Sequence, residues 1–282
     1  MSLPDRGSPQ AHGGIAKLRA DPHGQILLDQ PGKGLVVRGG EFPWWLVALV
    51  ALIGYLGYLT FFDSNYEGAK RAVIGGIPVT IRATLIAFGL ALILGLVAGL
   101  GRISRNVFLR NLASLYVEFI RGVPILVLIF TVALVLIPPI SDALGIQNRL
   151  SQELRAILAL TLIYGGYIAE VFRAGIESIS PGQSEAGRSL GMTRGQTMRS
   201  IVLPQAVRNV LPALGNDFIA MLKDSSLLSV LGVREITQQA RLFANSSFQF
   251  REAFLALTFL YLTGTLVLSL GVNWYARRLS RG

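Results

Sequence analysis

The sequence predicts an all-α polytopic membrane protein with about six transmembrane helices, and three observations carry that expectation. Of its 282 residues 52% are hydrophobic and only 15% charged, with a mean hydropathy of +0.53, a balance foreign to soluble domains of this length. Charge-free runs of about 20 residues recur, the length a helix needs to cross a hydrocarbon layer of about 30 Å. The Lys and Arg residues fall mainly between those runs.

Residues 1–41 are rich in Gly, Pro and Asp, with Lys17, Arg19, Lys33 and Arg38 scattered among them and no apolar periodicity. They read as a flexible extramembrane tail. A signal peptide is a poor fit, because the apolar stretch starts past residue 41 and no small-residue cleavage pattern follows it. Uncharged runs then occupy 42–62, 83–101, 122–141 and 253–276. The first begins with Trp44 and Trp45 and the last ends near Trp274 and Tyr275, amphipathic rings that favour the headgroup level. Two further spans are less pure: 155–176 holds Glu170 and Arg173, and 201–233 holds Arg208, Asp217, Lys223 and Asp224.

Cytoplasmic segments retain positive charge during insertion. With the N-terminus inside, the inner segments hold sixteen Lys and Arg residues against seven in the outer ones, so both termini are expected in the cytoplasm. The net charge of +10 and pI of about 10.4 would point to nucleic acid in a soluble protein. Here they serve topology, which leaves membrane lipid as a partner and excludes nucleic acid.

Hydrolytic and metal chemistry have little to work with. There is no cysteine, and His12 and His23 both lie in the tail, so neither a thiolate nor a His-centred site can be built among the spans. No catalytic residue, metal or cofactor is expected. Gly32-Lys33 is followed by Gly34 and lacks the upstream glycine of a phosphate-binding loop, so the chain has no ATP site of that kind.

The stretch 180–204 opens with Ser180 three residues before Gln183, and Pro181 stands at the first helical position, which predicts a capping box and a helix start. Gly191 supplies a left-handed stop. Thr193 and Gln196 repeat the capping spacing, so a second helix should run from there through Met198, Ile201 and Leu203 toward the membrane. One reading is an amphipathic hairpin on the headgroups, with Arg188, Arg194 and Arg199 drawn to anionic lipid. The other is a protruding lever that meets a soluble partner.

The residues Glu185, Ala186 and Gly187, then Gly191, then Ile201, Leu203 and Pro204 resemble the EAA loop of ABC importer permeases, with every spacing kept. Gly187 replaces the usual alanine, another small residue. Beyond the loop, Gly76-Ile-Pro-Val-Thr-Ile, Glu118-Phe-Ile-Arg-Gly-Val-Pro124, the run from Tyr164 to Gly175 and Lys223-Asp-Ser-Ser-Leu-Leu-Ser229 are similar to the polar amino acid subfamily. The similarity covers roughly three quarters of the chain. It implies a type I permease core over 74–282 in the bacterial cytoplasmic membrane, and makes 42–73 an additional N-terminal helix with its outer loop. It also implies two ABC ATPase subunits, a second permease copy or paralogue, a periplasmic or extracellular solute-binding protein and an amino acid solute as partners. Glu185, Ala186, Gly187, Gly191, Ile201, Leu203 and Pro204 would then couple to the ATPase, with Glu185 as a fixed charge and the small residues permitting close approach.

Ionisable groups inside a span are costly and therefore candidates for function. Asn216, Asp217, Lys223, Asp224, Ser225 and Ser226 either line a polar path for an amino acid zwitterion or hold the bundle together through pairing of Lys223 with Asp224 and neighbouring helices. Glu170 and Arg173, three apart on one helix face, read as a gate or clamp, and Glu118 and Arg121 share that spacing. A rival class, an ion-coupled secondary transporter, would use Asp217, Asp224 or Glu170 as its relay. A membrane scaffold binding a partner through the same loop is more distant.

Overall fold

A computed structural model describes residues 19–20, 26–27, 44–146 and 150–279. The expected tail at 1–41, apart from two short strands, lies outside the described residues, as do Phe42, Arg149 and Arg281. The chain divides into units 1–49 and 50–282. The first holds β1 (Arg19–Ala20) and β2 (Ile26–Leu27), paired antiparallel, and the start of α1 (Trp44–Phe62).

The second unit is helical throughout its described elements. α2 (Glu67–Arg102) runs 36 residues, longer than the 83–101 span read from the sequence. α3 (Val107–Gly122) follows, capped by Asn106, whose side chain accepts from the backbone N–H of Phe108 and Leu109. Pro124 breaks the chain before α4 (Ile125–Phe130), which continues through a π-helical turn into α5 (Ile137–Ala143). α6 (Gln152–Glu177) is capped by Ser151. Then come α7 (Pro181–Ser189), α8 (Arg194–Thr197), a π-helical turn at Met198–Val202 and α9 (Leu203–Asp224). A 3₁₀ segment at Ser225–Leu231 leads to α10 (Ile236–Ser247) and α11 (Phe250–Leu279).

Among the described residues five helices are long and apolar enough to cross a membrane, at 44–62, 64–102, 125–143, 152–177 and 250–276. The sixth expected span is α9, long enough at 22 residues but diluted by Arg208, Asn209, Asn216, Asp217, Lys223 and Asp224. Two helices, α3 and α10, were not expected from the sequence, because neither presents an uncharged run.

The core is a seam of small residues. Ala83, Ala87, Ala91, Gly95 and Gly99 recur every four residues along α2, and the three alanines are fully buried. A Cβ on Gly95 would sit 2.6 Å from Ile168 Cγ2 of α6, and one on Gly166 of α6 would sit 2.7 Å from Ile120 Cγ2 of α3. Small residues at this spacing let helix backbones approach where lipid offers no hydrophobic drive to associate.

Candidate functional site

α7 begins at Pro181 as expected, but Ser180 makes no side-chain cap; its carbonyl accepts from Gln183 N at 3.0 Å instead. Its end matches the sequence reading closely. Gly191 has φ +82°, Met192 N donates to Gly187 O and Gly191 N to Arg188 O, the paired bonds of a Schellman stop. Thr193 and Gln196 form the reciprocal capping box, with Thr193 N to Gln196 Oε1 at 2.8 Å and Gln196 N to Thr193 Oγ1 at 3.3 Å. Both ends of the turn are thus fixed by bonds within it.

The motif residues divide by exposure. Glu185 and Ala186 are exposed on α7, whereas Gly187 is buried and a Cβ there would meet Ile201 Cδ1 at 2.7 Å. Two motif positions therefore pack on each other and hold α7 against the root of α9. Leu203 and Pro204 are exposed at the start of α9. Leu190, 83% exposed at the tip of the turn, is an apolar side chain that motif spacing alone does not single out. At the root of the lever Asn209 donates to Ser178 Oγ at 3.0 Å, and Gly175 admits Val210, since a Cβ there would lie 2.0 Å from Val210 Cγ2. This close crossing joins α6 to α9.

The six candidates of the α9 region do not form one cluster. Asn216 and Lys223 are exposed, and their side chains make no hydrogen bond or ion pair among the described residues. Asp224 accepts from Tyr164 Oη of α6 at 2.8 Å, Ser225 is fully buried with its hydroxyl on Leu222 O, and Ser226 is half-buried. Asp217 is half-buried, and its Oδ2 has no partner among the described residues. The expected Lys223–Asp224 pair does not form, because adjacent helical residues point about 100° apart.

What emerges instead is a stripe. Gln205, Asn209, Asn216 and Lys223 are all exposed and share one face of α9 at spacings of four and seven, rising about 27 Å from end to end. Gln205 and Asn209 escaped the sequence reading, although their spacing to Asn216 was available as a signal. Glu170 and Arg173 pair as expected, but Arg102 of α2 also binds Glu170, at 2.6 Å. Glu118 reaches Arg102 rather than Arg121. A separate cavity of about 490 Å³ lined by Thr84, Phe218, Tyr261 and Thr263 is almost wholly apolar and offers no charge to a zwitterion.

The chain is a bundle of apolar helices, five of them long enough to cross a membrane among the described residues, with an internally bonded helical turn at 187–196 and a polar face on α9. The chain belongs to the family of binding-protein-dependent transport system inner membrane components, which matches residues 91–281. It is a permease subunit of an ABC importer, multi-pass in the membrane. It is 36% identical over 209 residues to the probable amino-acid permease protein YxeN of Bacillus subtilis (strain 168), covering 74% of this chain and 92% of that one. It is 34% identical over 207 residues to the glutamine transport system permease protein GlnP of Escherichia coli (strain K12), covering 73% and 92%. A solved amino acid ABC transporter "with histidines" superposes with a TM-score of 0.67 at 34% identity, over 74% of this chain and 94% of that one. The methionine transporter MetNI, at 19% identity and a TM-score of 0.62 over 76% and 98%, shares the fold. The ion-coupled reading of Asp217, Asp224 and Glu170 falls with this assignment.

Proposed function

We propose that the chain, with a second copy or a related permease, forms the path for a polar amino acid across the cytoplasmic membrane. A solute-binding protein delivers the solute from outside, and two ATPase subunits receive α7 and drive alternating access. The observation that carries this reading is the polar stripe of α9. Amide and ammonium groups strung along about 27 Å of a membrane helix cannot be left facing hydrocarbon, so this face lines a wet path or meets another polar surface. Asn216 and Lys223 stand on it. Asp217, Asp224, Ser225 and Ser226 shape its wall from behind, and Glu170 and Arg173 clamp its cytoplasmic end.

The amino acid class is supported by the relatives, which carry amino-acid and glutamine permeases among their names. Residues 74–282 make up the permease core in this proposal, and 42–73 an added helix with its outer loop after a cytoplasmic tail at 1–41. Both termini lie in the cytoplasm, as the distribution of Lys and Arg favours.

Glu185, Ala186, Gly187, Gly191, Ile201, Leu203 and Pro204 form the lever that couples to the ATPase. The turn at its middle is closed on both sides by internal hydrogen bonds, so force applied at Glu185 tilts the unit instead of unfolding that turn. The test is co-purification of the native complex, followed by ATP hydrolysis measured across the common amino acids with the binding protein present. At least one polar amino acid should stimulate hydrolysis, and Glu185→Lys should abolish stimulation while the chain still inserts. Uptake driven by a proton gradient without any ATPase would overturn the proposal.

A further inference from the structure

At the ends of α2, α3 and α6 nearest the lever, five side chains make one continuous charged ladder. Arg102, the last residue of α2, donates from Nη2 to Glu118 Oε1 at 3.0 Å and from Nη1 to Glu170 Oε2 at 2.6 Å. Arg173 donates from Nε to Glu170 Oε2 at 3.1 Å, bonds Glu170 Oε1 through Nη2, and reaches Glu177 Oε2 through Nη1. Arg121 adds a looser contact to Glu170 at 3.9 Å. The ladder ends at Glu177, four residues before Pro181 opens the lever.

Its two kinds of contact respond differently to force. The α2–α6 seam of Ala and Gly packs closely, with Ile168 seated over Gly95, but apolar packing is non-directional. A forked guanidinium held by two carboxylates is directional, and Arg102, with its side chain 14% exposed, cannot part from Glu170 without stranding a half-buried charge. Arg102 sits on a helix that is not continuous with the lever, so its fork is where motion of α6 can be handed to α2 and α3 together.

Resting on the proposed role of the lever, we propose that Glu118, Arg102, Glu170, Arg173 and Glu177 form a transmission strut that makes α2 and α3 move with it. Arg102 is the positioning residue on which the strut turns. A purely stabilising role predicts something else: loss of Arg102 would strand the Glu170 carboxylate and appear in the melting temperature alone.

The experiment uses the whole complex, with permease, ATPase and binding protein in proteoliposomes, and the amino acid that most stimulates wild-type ATP hydrolysis. Solute imported per ATP hydrolysed is compared for wild type, Arg102→Lys, Arg102→Gln and Glu118→Gln. Arg102→Gln should lower that ratio about tenfold while ATPase co-purification and basal hydrolysis stay at wild-type levels. Arg102→Lys, which keeps the charge and loses the fork, should fall between, and Glu118→Gln should do least because that carboxylate is the most exposed. An unchanged ratio in Arg102→Gln overturns the strut. If Arg102→Gln does not fold, a wild-type ratio in Arg102→Lys and Glu118→Gln overturns it equally. A wild-type complex in which no amino acid stimulates hydrolysis would instead sink the transport reading, and the strut with it.

Discussion

The lever at 181–202 and the helix α9 that grows out of it use polar residues in opposite ways. In the lever, polar side chains and backbone groups close on neighbours three to five positions away: the capping box of Thr193 and Gln196 and the Schellman bonds around Gly191 are complete within the segment. What it presents outward, Glu185 and Leu190, is left free for a partner. In α9 Gln205 still bonds locally, donating to Ile201 O four positions back, but other polar residues answer to distant elements. Asp224 is satisfied by Tyr164, sixty positions away, and Asn209 by Ser178, while Asn216 and Lys223 stay open on the stripe. The difference teaches that the turn of the lever is closed by its own bonds, whereas α9 depends on its surroundings for part of its polar chemistry.

The sharpest way to break that contrast is at the tip of the lever. Leu190→Glu places a charge where an apolar residue is 83% exposed, so the fold should not notice, whereas a central interface contact commonly carries 2 kcal/mol or more, roughly thirtyfold in affinity. Retention of the ATPase during purification should drop accordingly with an unchanged melting temperature. A lost melting transition would mean the lever is held by its partner and not by its own bonds.

A smaller effect is expected on the stripe. Asn216→Leu removes one amide from a face that should be wet, so import should fall several-fold, about 1 kcal/mol of lost solute contact, with melting temperature equal to or above wild type. Import at the wild-type level would show that this face of α9 meets something other than the solute.

The smallest effect tests a buried group that lies beyond both regions, at the start of α10. Glu235 is fully buried at the N-cap of α10, where it accepts from Thr237 N at 2.8 Å and Gln238 N at 2.7 Å. Burial pushes its carboxyl up to about 7, against the lowering effect of those donors. The folded chain thus holds this proton more tightly than the unfolded chain, so stability is highest below pH 4.5 and is lost as pH rises toward about 7. Melting in detergent should show a decline of roughly a few degrees across that window, absent in Glu235→Gln. The capping box of the lever, made of neutral Thr193 and Gln196, contributes nothing to this slope, and an equal slope in the variant would refute the assignment to Glu235.

Chain order alone determined the helical membrane class, five of the spans to within a few residues at one or both ends, and nearly the whole lever. Those features obey short-range rules: run length against bilayer thickness, a glycine where φ must be positive, and a Thr and Gln three apart. The amphipathic α3 and the buried-capped α10 were hidden because charge-free runs detect only helices without charged residues, and both of these carry them. Only the tertiary structure decided which face each polar residue of α9 takes, why Gly187 must be small against Ile201, and that Glu118 pairs with Arg102 and not with Arg121. The physical reason is that a membrane helix satisfies its own backbone internally, so its side chains are free to find partners anywhere in the bundle, and sequence distance carries no record of who those partners are.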